Sequence, residues 1–249
     1  MLSLIPISDA NPTRKTPVLT IALIVVNIFA FFFVEPGLGQ TPSAEAYFVR
    51  RAAIPCQLED ECPTLVPTRA GPVAVPERDL GSLVGAILFS TFLHAGILHI
   101  AGNMLFLWIF GNNVEDHLGR LRYLFFYLLG GIAAGMAQIL TNLGSCEAGG
   151  CSPAVGASGA VAAVMGAYFV LFPRARVNVL VPIFFIFTVV QMTAWAVLGL
   201  WVVFQFLTDQ PGVAWEAHVG GFVFGVVAIL LLGGRPQRPR EVAWRAGSY

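Results

Sequence analysis

Residues 80–114, LGSLVGAILFSTFLHAGILHIAGNMLFLWIFGNNV, run for 35 positions without one Asp, Glu, Lys or Arg. A helix on the surface of a soluble domain carries a charged face, and this stretch has none. Five further windows are equally bare: Thr16–Val34, Tyr123–Cys146, Ala148–Pro173, Val177–Thr208 and Ala217–Gly234. The shortest of the six holds 18 residues, and the hydrocarbon core of a bilayer takes ~20 residues of helix. Inside lipid every backbone N–H and C=O must be satisfied internally, which a helix does within one segment. The pattern predicts an all-α, polytopic membrane protein: a bundle of six transmembrane helices, one from each window.

Composition agrees. Of 249 residues, 57% are hydrophobic and 11% charged, with a mean hydropathy of +0.76. Soluble domains carry about 25% charged residues, so a water-facing surface could not be covered. The 14 basic and 14 acidic residues cancel, which gives no field for a polyanion and excludes a nucleic-acid binder. The first apolar run outlasts a signal-peptide core and reads as a retained span.

Basic residues set the orientation. Arg14, Lys15, Arg120, Arg122, Arg174, Arg176, Arg235, Arg238, Arg240 and Arg245 fall at alternate ends of the windows and place both termini in the cytoplasm. The expected organisation is a single domain over 1–249, with an outer loop at about 35–79 and a short cytoplasmic tail at 235–249. The expected location is a bacterial plasma membrane. Cys56, Cys62, Cys146 and Cys151 then all face outward, where disulfides form. Short spacing favours the local pairs Cys56–Cys62 and Cys146–Cys151 over a link between the two loops. No histidine lies near them, so no metal site is expected, and nothing implies a cofactor.

Polar side chains deep in a span are costly and mark function. The second window carries His94, His99 and Asn103, the fourth Gly156-Ala157-Ser158-Gly159, and the sixth Ala217-His218-Val219-Gly220-Gly221. Helical rise puts Ser158 about 22 Å above Pro173, His218 about 25 Å above Arg235, and Asn103 and His99 about 18 and 24 Å above Glu115. Four polar groups from three helices share one level. His99 and Asn103 lie on one helix face, and His218 sits on a stripe with Gly221 and Gly225, which permits close helix approach. A serine becomes a nucleophile when a base within about 3 Å takes its proton, and His218 is at the right depth. An oxyanion would need donors; Asn103, His99 and the Ser158 backbone N–H are the candidates. Since no carboxylate lies at this level, the set is a Ser–His dyad.

At these residues the sequence resembles the rhomboid family of intramembrane serine proteases. The matching motifs are His94-x4-His99-x3-Asn103, Gly156-x-Ser158-Gly159 and Ala217-His218-x2-Gly221-x3-Gly225, with Glu115 at the inner end of the second span. The resemblance implies a serine endopeptidase with Ser158 as nucleophile, His218 as general base, and His99 and Asn103 as oxyanion contributors. It implies a cavity open to the outer side and transmembrane protein substrates, met within the lipid bilayer. The sequence departs from the family at Ala162, where relatives carry an aromatic residue. Either the missing ring leaves His218 less firmly held, or another aromatic fills the gap, or the glycine stripe draws the sixth span closer, and close packing is the favoured outcome. Two competing readings are a catalytically silent relative, which would lack the serine or histidine, and a small transporter, which would show paired repeats.

Overall fold

A computed structural model describes residues 5–59, 62–144, 152–183, 186–207 and 213–237. A short strand, β1 (Ile5–Asp9), leads into α1 (Val18–Phe29), which continues through a π-helical turn, Ala30–Val34. The following loop carries α2 (Pro42–Arg51), started by Thr41, whose side chain accepts from the Ala44 N–H, and by Pro42 at the first helical position. It also carries a hairpin of β2 (Leu65–Thr68) and β3 (Gly71–Ala74).

Next come α3 (Leu80–Ser90), capped by Asp79, and α4 (Ile97–Phe106). The latter runs on through a π-helical turn, Leu107–Gly111, into α5 (Asn112–Leu118). The helices α6 (Arg120–Thr141) and α7 (Ser158–Leu171) follow. A long hairpin, β4 (Arg176–Ile183) and β5 (Ile186–Thr193), precedes α8 (Ala194–Leu207) and α9 (Trp215–Leu231).

The molecule is a helical membrane protein. Among the described residues two helical stretches, Ile97–Leu118 and Arg120–Thr141, are each long and apolar enough to cross a bilayer. The remaining apolar helices are shorter: Val18–Val34, Leu80–Ser90, Ser158–Leu171, Ala194–Leu207 and Trp215–Leu231. Large apolar residues such as Phe33, Leu98, Phe125 and Leu231 point outward, an arrangement that lipid, not water, accommodates.

Two expectations need correction. The protein is not all-α, because β1, β4 and β5 form an antiparallel sheet in the order β1-β4-β5. The window 177–208 is therefore not one helix: its first half is a hairpin. Val177 and Val179 are buried while the alternating Asn178 and Leu180 are partly exposed, the two-residue alternation of a strand with one face on a core. The window 80–114 likewise bends between α3 and α4, where Gly96 takes φ 156°.

The helix α7 is the centre of the core, with Ala160–Ala167 buried without exception. Tyr168 meets Phe110 edge-on and Phe172 at a tilt near the C-terminal end of α7, at ring separations of 5.0 and 5.1 Å. Small residues let α9 lie directly against it. A methyl group on Gly225 would run into the Ala163 carbonyl, and one on Gly221 into that of Gly159. The glycine stripe thus brings the two backbones together, as the spacing of His218, Gly221 and Gly225 predicts.

Glu115 explains how α1 is held. Its carboxylate accepts from the Leu19 N–H at 3.0 Å, the Thr20 N–H at 2.8 Å and the Thr20 hydroxyl at 2.8 Å. The first-turn N–H groups of a helix have no internal partner. A buried acid from α5 supplies one and sits at the positive end of the helix dipole.

Candidate active site

The loop entering α7 is fixed from the side. The Gly156 N–H donates to the Ser90 carbonyl at 3.0 Å and the Ala154 N–H to the Ala53 carbonyl at 3.1 Å. The Ser90 hydroxyl in turn receives the Ala53 N–H at 3.2 Å. Ser158 is the first helical residue of α7, so its own N–H has no partner within the helix. Gly156 has φ 129°, and a Cβ there would stand 2.8 Å from Nε2 of His99 and 3.5 Å from Ser158 Oγ. Both the backbone conformation and the space between His99 and Ser158 require glycine.

Ser158, His218, His99 and Asn103 line one cleft of about 800 Å³. Their elements meet closely there: Gly159, next to the serine, faces the Ala217 carbonyl, next to the histidine, at 3.6 Å from an added Cβ. Asn103 is buried, and its Nδ2 has no hydrogen-bond partner among the described residues. The Nδ1 of His99 accepts the Ala95 N–H at 3.4 Å. That places the proton of a neutral His99 on Nε2, the atom near Gly156, where it can donate.

His94 does not line the cleft. It is fully buried, with its ring edge-on to His99 at 5.3 Å. The His94 backbone N–H donates to Glu35 Oε1 at 2.9 Å, and burial pushes the Glu35 carboxyl up to about 7. His94 thus joins the turn between α3 and α4 to the loop after α1 and backs the His99 ring, a packing role. Gly159, Gly221 and Gly225 serve the α7–α9 contact.

Two residues at this site escaped the sequence reading. Gln205 of α8 places Oε1 2.8 Å from His218 Nδ1. Trp201, one turn earlier, lies against the His218 ring with centroids 5.6 Å apart and planes tilted by 38°. Their signal was the i, i+4 pair Trp201–Gln205, the amide standing alone in an apolar run. Ala162 is fully buried; Trp201 supplies an aromatic neighbour for the His218 ring, and the glycine stripe closes the α7–α9 contact. Glu216 accepts from Asn142 Nδ2 at 3.2 Å and also lines the cleft.

Cys56 and Cys62 form the expected local disulfide, with Cα atoms 5.0 Å apart. Cys146 and Cys151 lie outside the described residues.

A helical membrane protein with a polar cleft between closely packed helices is the class these features define. The family model of the Rhomboid domain matches residues 83–235, and the chain belongs to the rhomboid family. Its relatives include the human "Presenilin-associated rhomboid-like protein, mitochondrial", 30% identical over 152 residues, which are 58% of this chain and 37% of that protein. "Rhomboid protein 1, mitochondrial" of Saccharomyces cerevisiae is 30% identical over 157 residues, 57% of this chain and 40% of that protein. "RHOMBOID-like protein 1" of Arabidopsis thaliana is 28% identical over 163 residues, 61% and 39%. The chain thus matches about two fifths of the length of these relatives. Two of the three names place the relative in mitochondria, so the expectation of a bacterial plasma membrane draws no support from them.

Proposed function

We propose that this protein is an intramembrane serine endopeptidase that cleaves transmembrane segments of other proteins. The observation that carries the reading is the convergence of Ser158, His218, His99 and Asn103 on one cleft, in a chain of the rhomboid family.

In the proposed reaction the Ser158 Oγ attacks the carbonyl carbon of the scissile bond and its proton passes to Nε2 of His218. The carbonyl oxygen becomes an oxyanion beside three donors: Asn103 Nδ2, His99 Nε2 and the Ser158 N–H. Donors set before charge develops lower the barrier most. His218 then returns its proton to the leaving amine, leaving an acyl ester on Ser158. A water molecule, deprotonated by the same imidazole, cleaves the ester and restores the serine. The chemistry needs no metal or cofactor.

Six apolar segments would span the bilayer: Val18–Val34, Ile97–Leu118, Arg120–Thr141, Ser158–Leu171, Ala194–Leu207 and Trp215–Leu231. The termini would be cytoplasmic, and the whole chain one domain. A substrate helix must unwind to present an extended peptide bond, since helical carbonyls are already engaged. The test is covalent labelling of the detergent-solubilised protein by a fluorophosphonate, with the modified peptide mapped by mass spectrometry. Label on Ser158, absent from Ser158→Ala, is expected. Label elsewhere or none would refute the nucleophile.

A further inference from the structure

We infer that Gln205 is a positioning residue for His218, so that the reacting unit is a chain of three side chains, Ser158–His218–Gln205, ending in a neutral amide. The inference rests on the protease reading above. A neutral imidazole carries its proton on either nitrogen, and only the form with a bare Nε2 can accept from a serine on the Nε2 side of the ring. A dyad alone leaves that choice open.

The structure closes it on the far side of the ring. His218 Nδ1 and Gln205 Oε1 are 2.8 Å apart. The direction of the amide is fixed separately, because Gln205 Nε2 donates to the Trp201 carbonyl at 3.1 Å. With its NH2 group engaged there, the atom facing His218 is the carbonyl oxygen, which can only accept. Nδ1 is therefore the protonated nitrogen, and Nε2 keeps the lone pair for the Ser158 proton. The Nδ1 proton stays in place throughout the reaction. The two cleft histidines are thus held in opposite forms by their Nδ1 partners: His99 accepts there and donates through Nε2, while His218 donates there and accepts through Nε2.

One turn of α8 supplies both restraints on the base. Trp201 and Gln205 are four residues apart on one helix face. The indole limits tilting of the ring and the amide limits its rotation. An amide suits the setting, because a carboxylate placed between α8 and α9 would be a buried charge while His218 is neutral. The titratable groups that line the cleft with His218 are His99 of α4 and Glu216 of α9, besides Ser158 itself, and these are common to all the variants below.

The test uses the full chain in detergent, with Gln205→Leu and Gln205→Glu beside the parent and Ser158→Ala. Three readouts are taken: the rate of Ser158 acylation by a fluorophosphonate, its pH profile, and the ring 15N signals of His218. Gln205→Leu should lose roughly tenfold in acylation rate, the worth of one net hydrogen bond, and its 15N signals should move from a single protonated Nδ1 towards mixed forms. Gln205→Glu should keep or exceed the parent rate and move the acidic limb of the profile to higher pH, because a carboxylate stabilises the imidazolium. A Gln205→Leu variant with parental rate, profile and signals would overturn the inference. Were that variant unfolded, an unmoved acidic limb in Gln205→Glu would do so. If the parent shows no acylation at Ser158, the protease reading fails; the 15N signals still decide the Gln205 contact.

Discussion

Glu115→Ala tests how the bundle is tied together. The carboxylate receives two backbone N–H groups and one hydroxyl from the start of α1. Removing it strands both N–H groups, and each buried donor without a partner costs about 1–3 kcal/mol. Leu19 is only partly buried, so water recovers part of its share and its cost falls near 1 kcal/mol, whereas Thr20 is fully buried and bears about 2. The Thr20 hydroxyl keeps Tyr123 Oη at 3.3 Å and adds little. Loss of an anion at a helix N-terminus adds about 0.3–1 kcal/mol. The expected destabilisation is therefore about 3–4 kcal/mol. Glu115→Gln retains one accepting oxygen but points an NH2 group at a donor, and should lose about half as much. Equilibrium unfolding in mixed detergent micelles measures both. Activity per folded molecule should be unchanged, because Glu115 does not line the cleft. A Glu115→Ala variant within about 1 kcal/mol of the parent would show that α1 is held by packing alone.

Asn103→Ala should keep its fold and lose ~10²–10³-fold in turnover, the usual cost of one oxyanion donor; steady-state cleavage of a reporter substrate measures it, and full activity would return Asn103 to helix packing. Gly225→Val should lower both thermal stability and activity, since the new Cβ meets the Ala163 carbonyl and the overpacking costs about 1–3 kcal/mol or more. Asp9 gives a pH dependence. Burial raises its carboxyl from 3.8 to about 6, against the opposing hydrogen bond from Tyr168. The native state then holds a proton that the unfolded chain releases, so this contribution to stability declines as pH rises from about 4 to 6 and is flat above. Asp9→Asn should remove that slope in thermal unfolding measured across the same range.

Much of the architecture was legible because lipid imposes a simple rule on charge. The site was legible for a related reason: polar groups are so costly in an apolar span that Ser158, His218, His99 and Asn103 stood out, and helical rise put them on one level. The β4–β5 hairpin was missed because absence of charge marks apolar surroundings and not secondary structure. Its signals were present in the alternation of Val177, Val179 and Val181 and in Pro182, which a mid-span helix tolerates poorly. The role of Glu115 depends on a contact with Leu19 and Thr20 nearly a hundred residues away, which no local pattern reveals. Gln205 was passed over because a single amide in an apolar helix reads as a packing group until the neighbouring helix is seen.

Cleavage of a transmembrane reporter by the purified protein reconstituted into liposomes, with Ser158→Ala and His218→Ala in parallel, tests the Ser158–His218 dyad itself. The parent should yield products cut within or at the edge of the reporter's membrane segment. Neither variant should form them, although both remain folded by thermal unfolding. Equal cleavage by the parent and either variant, or none by a folded parent that also resists the fluorophosphonate, would contradict the dyad.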